Sequence, residues 1–171
     1  MRSLTLLVAL VSLPSSLLAE ERAPKWVADL SSNDGQERVG ATKAAFDLGE
    51  RALPALRAAG AKQISPSGPL ATGRIDMVYS LIEGLRPNPP HARAGYSANG
   101  FGLHVEKKVT REEVVGLGEK HGFKLSSEFR TDSSPSCYVQ ITSGKSLAEV
   151  IRAILLGESR VISVNLNYFE K

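Results

Sequence analysis

One cysteine, Cys137, stands in 171 residues, so no disulfide can form within the chain and its stability must come from packing. Aromatic residues make up only 6% of the sequence, which leaves the core to aliphatic side chains. An excess of either charge is also missing. The formal net charge is +3, too weak a basic balance to argue for nucleic acid by itself. No apolar run reaches the roughly 18–20 residues that a membrane-spanning helix needs. At 42% apolar the chain is not disordered throughout, and its length suits one ordinary domain or two small ones.

The start of the chain reads as a targeting segment. A positive Arg2, the apolar stretch LTLLVALVSL, Pro14 and the small Ala19 before Glu20-Glu21 predict a secretory signal peptide over 1–19. Leu17 departs from the small residue preferred three positions before the cut, so cleavage can shift by a few residues. The expectation is an exported protein, periplasmic or extracellular, with no integral membrane segment after signal cleavage. Cys137 lies between Ser136 and Tyr138 in an alternating run and reads as a small buried apolar residue.

Residues 20–86 carry helical patterning. Pro24 opens a short helix with Trp26, Val27 and Leu30. Asn33 with Gln36 predicts a cap for a second helix, which bears Val39, Ala41, Ala44, Ala45, Phe46 and Leu48 and stops at Gly49. Leu53 and Leu56 follow, with Pro54 tolerable in a first turn. After Pro66-Ser67-Gly68-Pro69, the three- and four-residue spacing of Ile75, Val78, Tyr79, Ile82 and Leu85 predicts an amphipathic helix. The charges of this half are expected on solvated faces.

Residues 87–99 contain Pro87, Pro89, Pro90 and Gly95 and read as a linker holding His91. The period then changes to two. Phe101, Leu103, Val105 and Val109 fit a first strand; Phe123, Leu125 and Phe129 a second; Cys137, Val139 and Ile141 a third; Ile162, Val164, Leu166 and Tyr168 a fourth. Between them, Thr110 with Glu113 and Ser146 with Glu149 are capping boxes that open two helices. The order strand, helix, strand, strand, helix, strand over residues 100–171 predicts a ferredoxin-like sandwich, making the chain an α+β protein. Right-handed crossovers place both helices on one sheet face. The other face is left open and carries His104, Glu106, Lys108, Lys124, Glu128, Tyr138, Gln140, Thr142, Ser163, Asn165 and Asn167.

Chemistry-bearing patterns are sparse. His91, His104 and His121 have no ligand spacing, so neither a metal nor a cofactor is expected. No G-x-S-x-G occurs, and Cys137 sits in mid-strand without a base nearby in sequence, so the reading is non-enzymatic. Lys107-Lys108-Val109-Thr110-Arg111 does not match the phosphate loop of acylphosphatases, which share the expected fold. Asn99-Gly100-Phe101-Gly102-Leu103-His104-Val105 echoes an RNA-recognition signature, but on the first strand and with Phe101 facing inward. No nucleic-acid partner is expected.

Two resemblances remain. DLSSNDGQERVGATKAAFDLGERALPALRAAG, with GRIDMVYSLIEGL after a break, resembles short HEAT-like helical repeats. Such repeats normally stack, so a lone copy needs another surface to cover its apolar face. VEKKVTREEVVGLGEKHGFKL, then YVQITSGKSLAEVIRAILLGESRVISVNLNY, resembles the propeptides of subtilisin-like proteases and their free-standing inhibitor relatives. That resemblance implies a protein partner, a subtilisin-like protease, held on the open sheet face, with the C-terminal tail in its active-site cleft. The implied contact residues are His104, Glu106, Lys108, Tyr138, Gln140, Asn165, Asn167, Tyr168 and Phe169. A structural or adaptor protein of the cell envelope without a protease target is the alternative.

Overall fold

The computed structural model describes residues 24–62, 69–85, 94–131 and 135–170. The expected signal peptide (1–19), the Pro66-Ser67-Gly68 break, His91 and most of the expected linker lie outside the described residues. Helix α1 (Lys25–Asp29) starts after Pro24, and α2 (Gly35–Leu48) follows a short turn. The cap of α2 falls one residue later than expected. The Asp34 carboxylate accepts from the Gln36 N–H at 2.7 Å, placing a full charge at the positive end of the helix. Gly49 stops α2 with φ +57°, a conformation that side chains disfavour. A 3-10 turn, Gly49–Ala52, leads into α3 (Leu53–Lys62), where Pro54 sits in the first turn. Helix α4 (Pro69–Glu83) begins at a proline, whose fixed φ suits that position, and buries Ile75, Met77 and Val78.

The other half contains β1 (Ala94–Val105), α5 (Arg111–His121), β2 (Phe123–Leu125), β3 (Ser136–Ile141), α6 (Leu147–Gly157) and β4 (Val161–Glu170). Both expected capping boxes are present, Thr110 with Glu113 and Ser146 with Glu149. The four strands form one antiparallel sheet in the order β2-β3-β1-β4. Phe101, Leu103, Cys137, Val139, Val164 and Leu166 share one face and join a core with Val114, Val150, Ile151, Ile154 and Leu155 of the helices.

Three strand limits differ from the sequence pattern. Strand β1 begins at Ala94, inside the expected linker, because Ala94, Gly95 and Tyr96 pair with Glu170, Phe169 and Tyr168 of β4. That stretch lacks apolar alternation, and a distant partner supplies its hydrogen bonds. Val109 is not in β1; it is buried beyond the strand end, and its N–H donates to Glu106 O at 2.9 Å. Strand β2 stops before Phe129, because the N–H groups of Ser126 and Ser127 both turn onto Tyr138 O, at 2.9 and 3.3 Å.

The helical half does not have a separate core. Leu30, Ala41, Ala45, Leu56, Ile75 and Val78 belong to the same apolar cluster as the sheet. Helix α2 packs on α6 and α4 on β4, so the sheet half supplies the covering surface that a lone helical pair lacks. Two charges expected on solvated faces are in fact buried, Arg38 at 3% exposure and Arg74 at 1%. Arg38 Nη2 donates to Glu106 Oε1 and to Ser159 O, both at 2.7 Å. Its Nη1 donates to Ser32 O and Asn33 O. Arg74 donates to Leu155 O (2.7 Å), Val161 O (2.7 Å) and Thr42 Oγ1 (3.0 Å). Burial, helped by the nearby Arg38 charge, pushes Arg74 down to about 9, which still leaves it protonated at neutral pH.

The connection after α6 gathers further charge. Glu158 Oε1 accepts from Lys120 Nζ and lies against His121 Nε2, both at 2.7 Å. Burial acts to raise the Glu158 pKa, but the hydrogen bonds from Lys120 and His121 outweigh it, leaving the group below its ordinary 4.5. A carboxylate depressed in the folded state stabilises above its unfolded pKa and loses that contribution as pH falls through the folded value. Glu158→Gln should therefore cost about 1 kcal/mol at pH 7 and progressively less as pH falls through the folded value. Urea unfolding at pH 7, 5 and 3 checks this. An equal cost at all three values contradicts the ion-pair role.

Candidate functional site

The polar sheet face is built from residues that alternate with the core set. Register places Gly100 opposite Gln140, Gly102 opposite Tyr138, and His104 opposite Ser136 on β1 and β3. On the other side, His104 faces Ser163 and Gly102 faces Asn165 of β4. This face is only partly open. Helix α4 lies over its β4 margin, where a Cβ added at Gly73 would come 2.9 Å from Asn165 Oδ1 and 3.3 Å from Ser163 Cβ. Ser163 is fully buried there. The β1 and β3 part stays uncovered by α4.

The two strand glycines serve different ends. At Gly100 a Cβ would lie 2.8 Å from both Tyr138 Cζ and Val139 O, so the Tyr138 ring needs a glycine beneath it. At Gly102 a Cβ would meet nothing nearer than Asn165 O at 3.6 Å, an ordinary contact. The fold does not require glycine at that position.

Above Gly102 lies a cleft of about 360 Å³. His104, Ser136, Cys137 and Tyr138 line its strand side, and Ser127, Glu128 and Arg130 form the opposite wall. That wall rides along β3: Ser127 Oγ accepts from the Tyr138 N–H at 2.7 Å, and Arg130 and Ser136 exchange backbone bonds at 2.9 and 3.1 Å. His104 Nδ1 is shielded and lacks a hydrogen-bond partner among the described residues. Burial lowers the His104 pKa, so the imidazole is neutral at pH 7. Glu128 and Arg130 are exposed, and neither has an ion-pair partner among the described residues.

The expected contact residues separate into groups. His104 and Tyr138 line the cleft, and Gln140 is exposed on the same face. Asn165 lies at the margin under α4. Glu106 is beyond the end of β1 and partly exposed, and its carboxylate is engaged by Arg38, which joins the two halves. Lys108 is exposed in the turn that follows. Asn167, Tyr168 and Phe169 belong to β4, with Tyr168 paired to Tyr96 and Phe169 to Gly95.

The sequence alternation places Glu128 on this face but gives no site role to Ser127, Arg130 or Gly102. A glycine inside a strand, where it costs stability, was the available sign for Gly102. The interrupted alternation between Leu125 and Phe129 was the sign for the wall.

The chemistry available is recognition by hydrogen bonds and two opposite charges. Cys137 offers no nucleophile at neutral pH, since burial pushes its thiol up to about 11. Among the described residues no group of three or more His, Cys, Asp or Glu converges on one point, and no helix is long and apolar enough to cross a membrane. Compared with known proteins, the chain matches no family model, no curated protein sequence and no solved structure. The glycine assignment is testable by melting. Gly100→Ala should destabilise by about 1–3 kcal/mol through the forced shift of Tyr138, whereas Gly102→Ala should be neutral or slightly stabilising. Equal losses at both positions contradict it.

Proposed function

We propose that this is an exported, non-enzymatic protein-interaction module that docks a partner on the uncovered β1–β3 part of its polar sheet face. The observation that carries this reading is the contrast across one sheet. One face is filled by α5 and α6, α4 covers the β4 margin of the other, and the strip bearing His104, Tyr138 and Gln140 is left beside a cleft. The antiparallel order β2-β3-β1-β4, with one helix before β2 and one before β4, supports a ferredoxin-like fold for the strand half. That fold supports, by resemblance, a subtilisin-like protease as the partner.

A second reading, an envelope adaptor without a protease target, is favoured by the C-terminal strand. Residues 168–170 are held in the ladder with β1, and entering a protease cleft would require breaking those backbone pairs. Docking by the sheet face needs no such change, so the face and not the tail carries the proposal. The test is a binding titration of the protein against a purified secreted subtilisin-like protease. A complex of micromolar or tighter affinity is expected, weakened at least tenfold by Gln140→Arg, which puts a bulky charge on the exposed strip. Absence of a complex at micromolar concentration leaves the adaptor, and binding unaffected by Gln140→Arg overturns docking by this face.

A further inference from the structure

The cleft over Gly102 has features that a flat docking face does not need. Its floor is bare backbone at a position where the fold accepts a Cβ without collision. An interior strand glycine with no steric reason marks a place where a ligand or another backbone comes close. The volume, about 360 Å³, lies at the small end of ligand pockets, which suits one or two amino-acid residues and not a folded partner.

The lining narrows the chemistry. Glu128 and Arg130 stand two residues apart on one wall, oppositely charged. An anion alone would meet the Glu128 carboxylate, and a cation alone would meet the Arg130 guanidinium. A ligand carrying both an ammonium and a carboxylate satisfies each of them by a charge-assisted hydrogen bond. The strand side adds the Ser136 hydroxyl, which suits an amide N–H or C=O of a peptide.

We propose that this cleft binds a short zwitterionic peptide of dipeptide size, its backbone laid over Gly102, its ammonium toward Glu128 and its carboxylate toward Arg130. The inference goes beyond docking of a protein partner and does not depend on it, because the ligand is bound by this chain alone.

The test is an amide-resolved NMR titration of the protein with the dipeptide Ala-Ala, compared with N-acetyl-Ala-Ala-amide, which lacks both terminal charges. Saturable shifts at Gly102, His104 and Tyr138 are expected with Ala-Ala and not with the capped form. Gly102→Val should abolish the shifts while leaving the melting temperature unchanged or higher. Glu128→Gln and Arg130→Gln should each weaken binding about tenfold. These two exposed positions decide the matter alone if Gly102→Val does not fold. Equal response to the capped peptide, shifts confined to other regions, or full binding by both glutamine variants overturns the proposal.

Discussion

Arg38 and Arg74 carry guanidinium groups out of the helical half and set them on the backbone between α6 and β4. Leu155 O is among the last carbonyls of α6, which have no partner within the helix. Arg74 supplies that partner, and its positive charge also meets the negative end of the helix. Arg38 reaches Ser159 O one turn further on, and Gly35 lets α2 approach, since a Cβ there would come 2.8 Å from the Ser159 carbonyl carbon. Among the described residues no carboxylate bonds Arg74; carbonyl and hydroxyl oxygens hold it. Removing such a buried charge leaves several oxygens unsatisfied at once, whereas a surface ion pair costs little to lose.

This constraint determines where the polar sheet face is free. Because α2 is tied to the α6–β4 connection and α4 lies along β4, the helices wrap one edge of the sheet and stop there. Strand β3 and the polar side of β1 lie beyond their reach, and the 126–130 segment curls back along β3 to give that strip a wall. The site thus follows from two packing facts, the reach of α4 and the bulge after β2. Lys120 and His121 on Glu158, together with the ion pair between Arg160 and Glu113, fasten α5 to the same connection.

Much of the fold is legible in the sequence because its signals are local. The capping boxes at Thr110 and Ser146, the stop at Gly49 and the apolar stripe of α6 each depend on residues within one or two turns. The alternation of Phe101, Leu103, Val139 and Val164 identifies the core face of the sheet in the same way. What the sequence does not reveal is non-local. Nothing near Ala94 announces that residues 94–96 pair with the C-terminal end of β4. Nor does an arginine in α2 show that it is buried, because two of its four acceptors lie about 70 and 120 residues away. The same limit applies to the site: His104 and Tyr138 fall on the polar face by period, but the wall opposite them depends on a bulge. Glu106 is a related case, since its place in the alternation does not announce the ion pair it makes with Arg38 of α2.

The helices and the sheet share one apolar cluster and so form one cooperative unit, to whose stability the buried Arg74 bonds contribute. The most direct measurement is urea unfolding of the Arg74→Met variant, followed at two places at once. Fluorescence of Trp26, the sole tryptophan, reports the helical half, and amide exchange in β1 and β3 reports the sheet. Coincident transitions are expected in the wild type and in the variant, with the variant less stable by about 3 kcal/mol at both probes. A variant in which Trp26 is released at low urea while β1 and β3 keep wild-type protection would contradict this cooperativity.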